Sequence, residues 1–180
     1  MSLIKLSSQT FGSSSSVTYT GLSSTYNVHV MRIRKVRASN VNSYLDARFT
    51  TATGGAGTPI TSANYRYAGW HDHSQFSIGK MNSTAQSYTD KWRFTYISQN
   101  TTGDGYDMEL WIYNAASSSD FTYAHWKSVG QVNGANVGPW MGGCSLIENT
   151  AVDGIQIFPT SGASHSVPEA EITLYGLQES

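Results

Sequence analysis

The sequence predicts an all-β protein, an antiparallel two-sheet sandwich of jelly-roll type. Three observations predict it. Apolar and polar residues alternate along several short runs. Clusters of turn-forming residues separate those runs at short intervals. No stretch of a dozen residues keeps the 3.6-residue period of a helix. Composition agrees: about a quarter of the 180 residues are Ser or Thr, 12% are aromatic and only 13% are charged, a hydroxyl-rich and charge-poor balance suited to strands and loops. The length fits one domain, residues 1–180, large enough to bury a sizeable core.

Taken in order, residues 1–11 form an N-terminal strand or an arm used in assembly, because Leu3, Ile4 and Leu6 are too apolar for a free tail. The run Ser13 to Ser16 reads as a turn, since residues 17–22 resume an apolar pattern at once. Residues 26–36 (YNVHVMRIRKV) place Tyr26, Val28 and Val30 on one face and then switch parity at Met31 and Ile33, which predicts a β-bulge near Val30. A Gly-rich turn at 53–59 follows, and short helical turns are expected within 83–91. In 92–97, Trp92, Phe94 and Tyr96 share a face; in 106–113, Met108, Leu110 and Ile112 do, opposite Asp107, Glu109, Trp111 and Tyr113. Ile155 with Ile157 and Ile172 with Leu174 repeat the pattern, with turns at 99–105, 114–120, 133–139 and 161–168. About ten strands result, enough for a jelly roll. The predicted core is Met108, Leu110, Ile112, Phe94, Ile155, Ile157, Ile172 and Leu174.

Several function classes are disfavoured. One cysteine, Cys144, allows neither a disulfide framework nor a cysteine zinc cluster within the chain. The opening residues lack the apolar core of a signal peptide, and no run is apolar for the length of a membrane helix. Synthesis in a cytoplasm and no membrane partner are therefore expected. Eleven basic against twelve acidic residues leave no clustered positive surface for nucleic acid.

Chemistry is sparse. The sharpest polar group is Trp70-His71-Asp72-His73. His71 and His73 share a face when extended, but no third ligand is nominated, so no metal is assigned and satisfied histidines on a strand end or loop are expected. Asp104 to Asp107 lacks the spacing of a calcium loop and reads as a turn entering a strand. Arg32 and Arg34 point one way and Lys35 and Arg37 the other, which predicts solvated charges or salt bridges to a neighbouring subunit rather than a phosphate groove. The acids are dispersed, with no marked pair for glycoside hydrolysis, and no nucleophile elbow or phosphate loop is present. The expectation is a non-enzyme with no catalytic residues and no cofactor. Trp70, Trp111, Trp126 and Trp140 remain as aromatics that would stack on sugars or fill a subunit interface.

A resemblance enters here. Residues 11–26 (FGSSSSVTYTGLSSTY) before an apolar strand that ends in basic residues, 44–49 (YLDARF) before a Gly-rich loop, 64–67 (NYRY), 151–158 (AVDGIQIF) and 172–177 (ITLYGL) resemble, in order and spacing, small β-sandwich structural proteins of tailed, especially marine, bacteriophages. The resemblance spans nearly the whole chain. It implies a sandwich without catalysis, made in the host bacterial cytoplasm and resident in the virion. No heptads or repeats precede the sandwich, which suits a capsid decoration (cement) protein better than a long fibre. Implied partners are copies of itself, as a trimer by analogy with proteins at threefold sites of icosahedral shells, and the major capsid protein or other virion proteins. Leu3, Ile4, Leu6 and Trp111 are the expected interface residues. The alternative is a tail-fibre tip or adhesin-like module that binds host-surface glycan through Trp70, His71, Asp72 and His73, with Trp70 stacked on a sugar ring.

Overall fold

Alternation resolves into thirteen strands and, among the described residues, no helix. The computed structural model describes residues 1–37, 39, 43–73, 76–82, 89–97, 105–133, 136–160, 167 and 169–178. In chain order the strands are β1 (Ser2–Phe11), β2 (Val17–Thr20), β3 (Val28–Val36), β4 (Ser43–Thr51), β5 (Thr58–Pro59), β6 (Tyr65–His73), β7 (Phe76–Asn82), β8 (Trp92–Ile97), β9 (Tyr106–Tyr113), β10 (Thr122–Asn133), β11 (Asn136–Leu146), β12 (Gly154–Pro159) and β13 (Ala170–Gln178).

They build two antiparallel sheets packed as a sandwich. The larger has eight strands in the order β1-β13-β3-β9-β10-β11-β6-β7; the smaller runs β2-β12-β4-β5, with β8 also paired to β4. The chain passes repeatedly from one sheet to the other, so neighbours in sequence cover each other's apolar faces. All eight predicted core residues are buried. Trp126 of the large sheet ties the layers together: its indole N–H donates to the Phe94 carbonyl of the small sheet at 3.2 Å, and the two rings meet edge-on at 5.7 Å. The Tyr65 hydroxyl makes a second tie, accepting from the Phe49 amide at 3.0 Å and donating to the Ile60 carbonyl at 3.1 Å.

The structure decides three expectations. No bulge occurs at Val30, since β3 runs in register with β9 and β13 through that point. His29, Met31 and Ile33 face inward, while Val30 lies on the outer face, opposite Trp111 on one side and Tyr175 on the other, and is buried there. An outer face that is also apolar mimics a change of parity. The real irregularity falls between Ile33 and Val36, where Lys35 takes a φ of 57° and its amide donates to Asp107 Oδ1 at 3.1 Å. Second, of the strand and the arm expected for residues 1–11, the chain forms the strand: β1 pairs along its length with β13 of its own chain, and Leu6 and Phe11 pack against the core. Third, Trp126 and Trp140 are buried, so neither is available to a ligand. The helical turns expected within 83–91 fall outside the described residues over 83–88, as do 99–104 and 161–166 of two expected loops.

His29 carries a testable consequence of inward placement. Its Nε2 accepts the Ser23 amide at 3.2 Å, Tyr26 meets the ring edge-on, and Nδ1 is buried without a partner among the described residues. Burial lowers its pKa from 6.5 to about 4. The folded protein therefore keeps His29 neutral where the unfolded chain already binds a proton. Stability is full above pH 6.5 and is lost as pH falls from 6.5 toward 4, by the order of 2 kcal/mol. Melting temperatures of wild type and His29→Gln across that window check this; an equal slope in both would rule His29 out as the source.

Candidate functional site

The outer face of the eight-stranded sheet carries the features that packing does not explain. Cross-strand register builds rows over it. One row runs from Arg32 (β3) through Glu109 (β9), Lys127 (β10) and Met141 (β11) to Trp70 (β6). The next holds Val30, Trp111, His125, Gly143 and Ala68. Glu109 is the hub of the first row. It accepts the Trp111 indole N–H at 3.0 Å and the Lys127 ammonium at 2.9 Å, and Arg32 lies 3.8 Å away. These donors, the indole first and then the ammonium, hold its carboxyl below the ordinary carboxylate range. Trp111 stacks nearly parallel on His125, with centroids 5.9 Å apart, and Tyr113 also stacks on that histidine, at 5.7 Å.

A groove of about 470 Å³ opens over the β3, β9, β10 and β11 part of this face. Arg32, Arg34, Asp107 and Glu109 line one side; Val129, Pro139 and Met141 line the other, with Lys127 between. Val129 is 50% exposed and Met141 36% exposed, an unusual position for side chains of this kind in mid-sheet.

Of the four nominated residues, Trp70 and His71 lie on opposite faces of β6. Trp70 is 47% exposed on the outer face, beside Met141 in register. His71 points the other way and stacks at 4.2 Å on buried Trp140, because successive side chains of a strand alternate. Asp72 and His73 complete β6, and their side chains lie outside the described part of the structure. Among the described residues no cluster of His, Cys, Asp and Glu could hold a metal ion. Cys144 is buried, and burial pushes its thiol pKa up, which keeps the reactive thiolate scarce. The basic cluster makes salt bridges within its own chain: Arg34 and Lys35 reach Glu171, and Arg32 reaches Glu109.

A second cavity, of about 450 Å³, lies beside Asp46, Tyr67, Lys91 and Arg93. Asp46 is 1% exposed; it accepts Arg93 Nε at 3.1 Å and faces Lys91 Nζ at 3.6 Å. Arg93 also lies over the Tyr44 ring, and Arg48 pairs with Asp90. These charges are matched by one another, and the arrangement fastens β8 to β4 rather than leaving an acid or base free for chemistry.

At the far side of the large sheet, β1 is an edge strand, bonded on one side only. Leu3 and Ile4 are each 38% exposed on it, whereas Leu6 is partly covered by its own core. Trp111 is half-buried between its cross-strand neighbours. Sequence reasoning nominated Trp111 and Trp70 but missed Glu109, Lys127 and Met141. Only strand register brings these three together.

Comparison of the chain with protein-family models, with curated proteins and with solved structures finds no match.

Proposed function

We propose that the protein is a non-catalytic structural protein of a bacteriophage particle, a capsid decoration protein that binds the shell and copies of itself. The observation that carries this reading is the open edge of β1. Ten residues present a row of backbone N–H and C=O groups on that side, and such an edge is a template for another chain. Proteins that stay apart blunt their edges with charges, prolines or bulges. Here one charge, Lys5, and the bulge between Lys5 and Ser7 do so, and Leu3 and Ile4 stand exposed beside them. Near-neutral net charge adds little self-repulsion against close packing of copies. The resemblance of the sequence to tailed-phage virion proteins supplies the particle, the major capsid protein as a partner and a trimer as the assembly.

Light scattering over a range of concentrations and co-sedimentation with undecorated capsids test the reading. The double variant Leu3→Lys, Ile4→Lys adds edge charges without removing the β1–β13 pairing. It is expected to weaken shell binding or self-association at least tenfold while shifting the melting temperature little. A wild-type chain that stays monomeric at every concentration and ignores shells would sink the proposal.

A further inference from the structure

The groove on the outer face differs from the β1 edge in position and in chemistry. Its volume, about 470 Å³, lies within the usual range for small-molecule sites, about 300–1,000 Å³. The four strands beneath it, β3, β9, β10 and β11, are each paired on both sides. Among the described residues, the paired stretches of these strands leave no free backbone edge there for an extended peptide that binds by adding a strand. Nor does the groove suit a polyanion. Its three cations, Arg32, Arg34 and Lys127, are interleaved with Asp107 and Glu109, and Glu109 is shared by two of them. A phosphate chain would meet those carboxylates.

The lining suits a ligand with an apolar face and a rim of groups that both donate and accept hydrogen bonds. A pyranose ring has that form: C–H groups on its faces and hydroxyls around its equator. We propose that this groove binds a neutral oligosaccharide, with ring faces on Val129, Pro139 and Met141 and hydroxyls bonded to Glu109, Lys127 and Arg32. Glu109, oriented by the Trp111 indole N–H, accepts from hydroxyl groups; Lys127 and Arg32 donate to hydroxyl oxygens, and bonds with one charged partner are the stronger kind. Trp70, next to Met141 in register and exposed, offers a stacking surface for a further sugar unit. The site is independent of the capsid reading, and it moves the sugar contact away from His71.

The test uses the full chain, a panel of neutral hexopyranose oligosaccharides and a matched panel containing uronic acids, with affinities measured by calorimetry. Neutral oligosaccharides are expected to bind, and Glu109→Gln and Met141→Ala each to weaken binding at least tenfold with little change in melting temperature. Val129→Ser, a small change at an exposed position, supplies a second apolar-side variant should Met141→Ala lower stability. The Leu3→Lys, Ile4→Lys protein is expected to bind sugar normally, which separates this site from the assembly edge. Three results would overturn the proposal: no binding by any neutral oligosaccharide, binding unaffected by the groove variants, or a tenfold preference for the acidic panel that salt abolishes.

Discussion

Replacement of Trp92 by alanine is expected to lower the free energy of unfolding by about 4 kcal/mol, the middle of the range for truncating a buried aromatic. Trp92 is fully buried. Its ring lies 4.5 Å from that of Phe49, 5.5 Å from Tyr65 and 5.7 Å from Phe94. Removing it takes the shared neighbour from three other rings at once, and stiff aromatics close over a void poorly. A contrasting variant sharpens the test. The Trp92 indole N–H is buried without a partner among the described residues, and such a group costs about 1–3 kcal/mol. Trp92→Phe removes that donor along with part of the ring, so its loss should be well under half that of Trp92→Ala. Denaturant unfolding of the two proteins measures the difference. A Trp92→Phe loss of half or more that of Trp92→Ala would show that removing the unpaired N–H brings no compensating gain.

Gly142→Ala is expected to cost about 3 kcal/mol, and Gly143→Ala close to nothing. The two glycines are adjacent on β11, so their added methyl groups point to opposite faces. At Gly142 a Cβ would fall 2.6 Å from both the Ala68 carbonyl oxygen and the Trp126 ring. Neither gives way easily: one is backbone of the neighbouring strand, and the other is the indole that ties the two sheets. At Gly143 the nearest atom is the Ala124 carbonyl oxygen, at 3.5 Å, an ordinary contact. Melting curves for the two single variants settle the comparison, and similar values for both would refute the packing argument.

The alternation in 106–113 was enough to read β9, its inward face and the outward Trp111, because polar and apolar residues there keep strict order. The same reasoning failed one strand away. Val30 is apolar although it faces outward, since Trp111 and Tyr175 flank it, and a strand apolar on both faces has no readable parity. Gly142 and Gly143 carry no side chain to show a face, yet they lie in mid-strand where β10 and β6 flank β11. The apolar start of the chain was legible as something that needs a partner, but not as a strand whose partner is β13. The groove was illegible for a similar reason. Arg32, Glu109, Lys127 and Met141 belong to four separate runs, and each looks like an ordinary surface residue until register aligns them.

Pairing of β1 with β13 also sets the order of events while the chain is being made. Ser8 and Thr173, joined by a hydrogen bond between their hydroxyls, lie 165 positions apart. At about 5–20 residues per second of synthesis, roughly ten to thirty seconds separate the emergence of the two strands. Through that interval β1 has no strand to bond to, and Leu3, Ile4 and Leu6 stay uncovered. β3 likewise waits for β9 on one side and for β13 on the other. The large sheet therefore closes late, after the ribosome has delivered nearly all of it. A nascent chain stalled before β13 would expose both β1 and the flank of β3, and crowding of such chains on one message favours pairing between molecules over pairing within one.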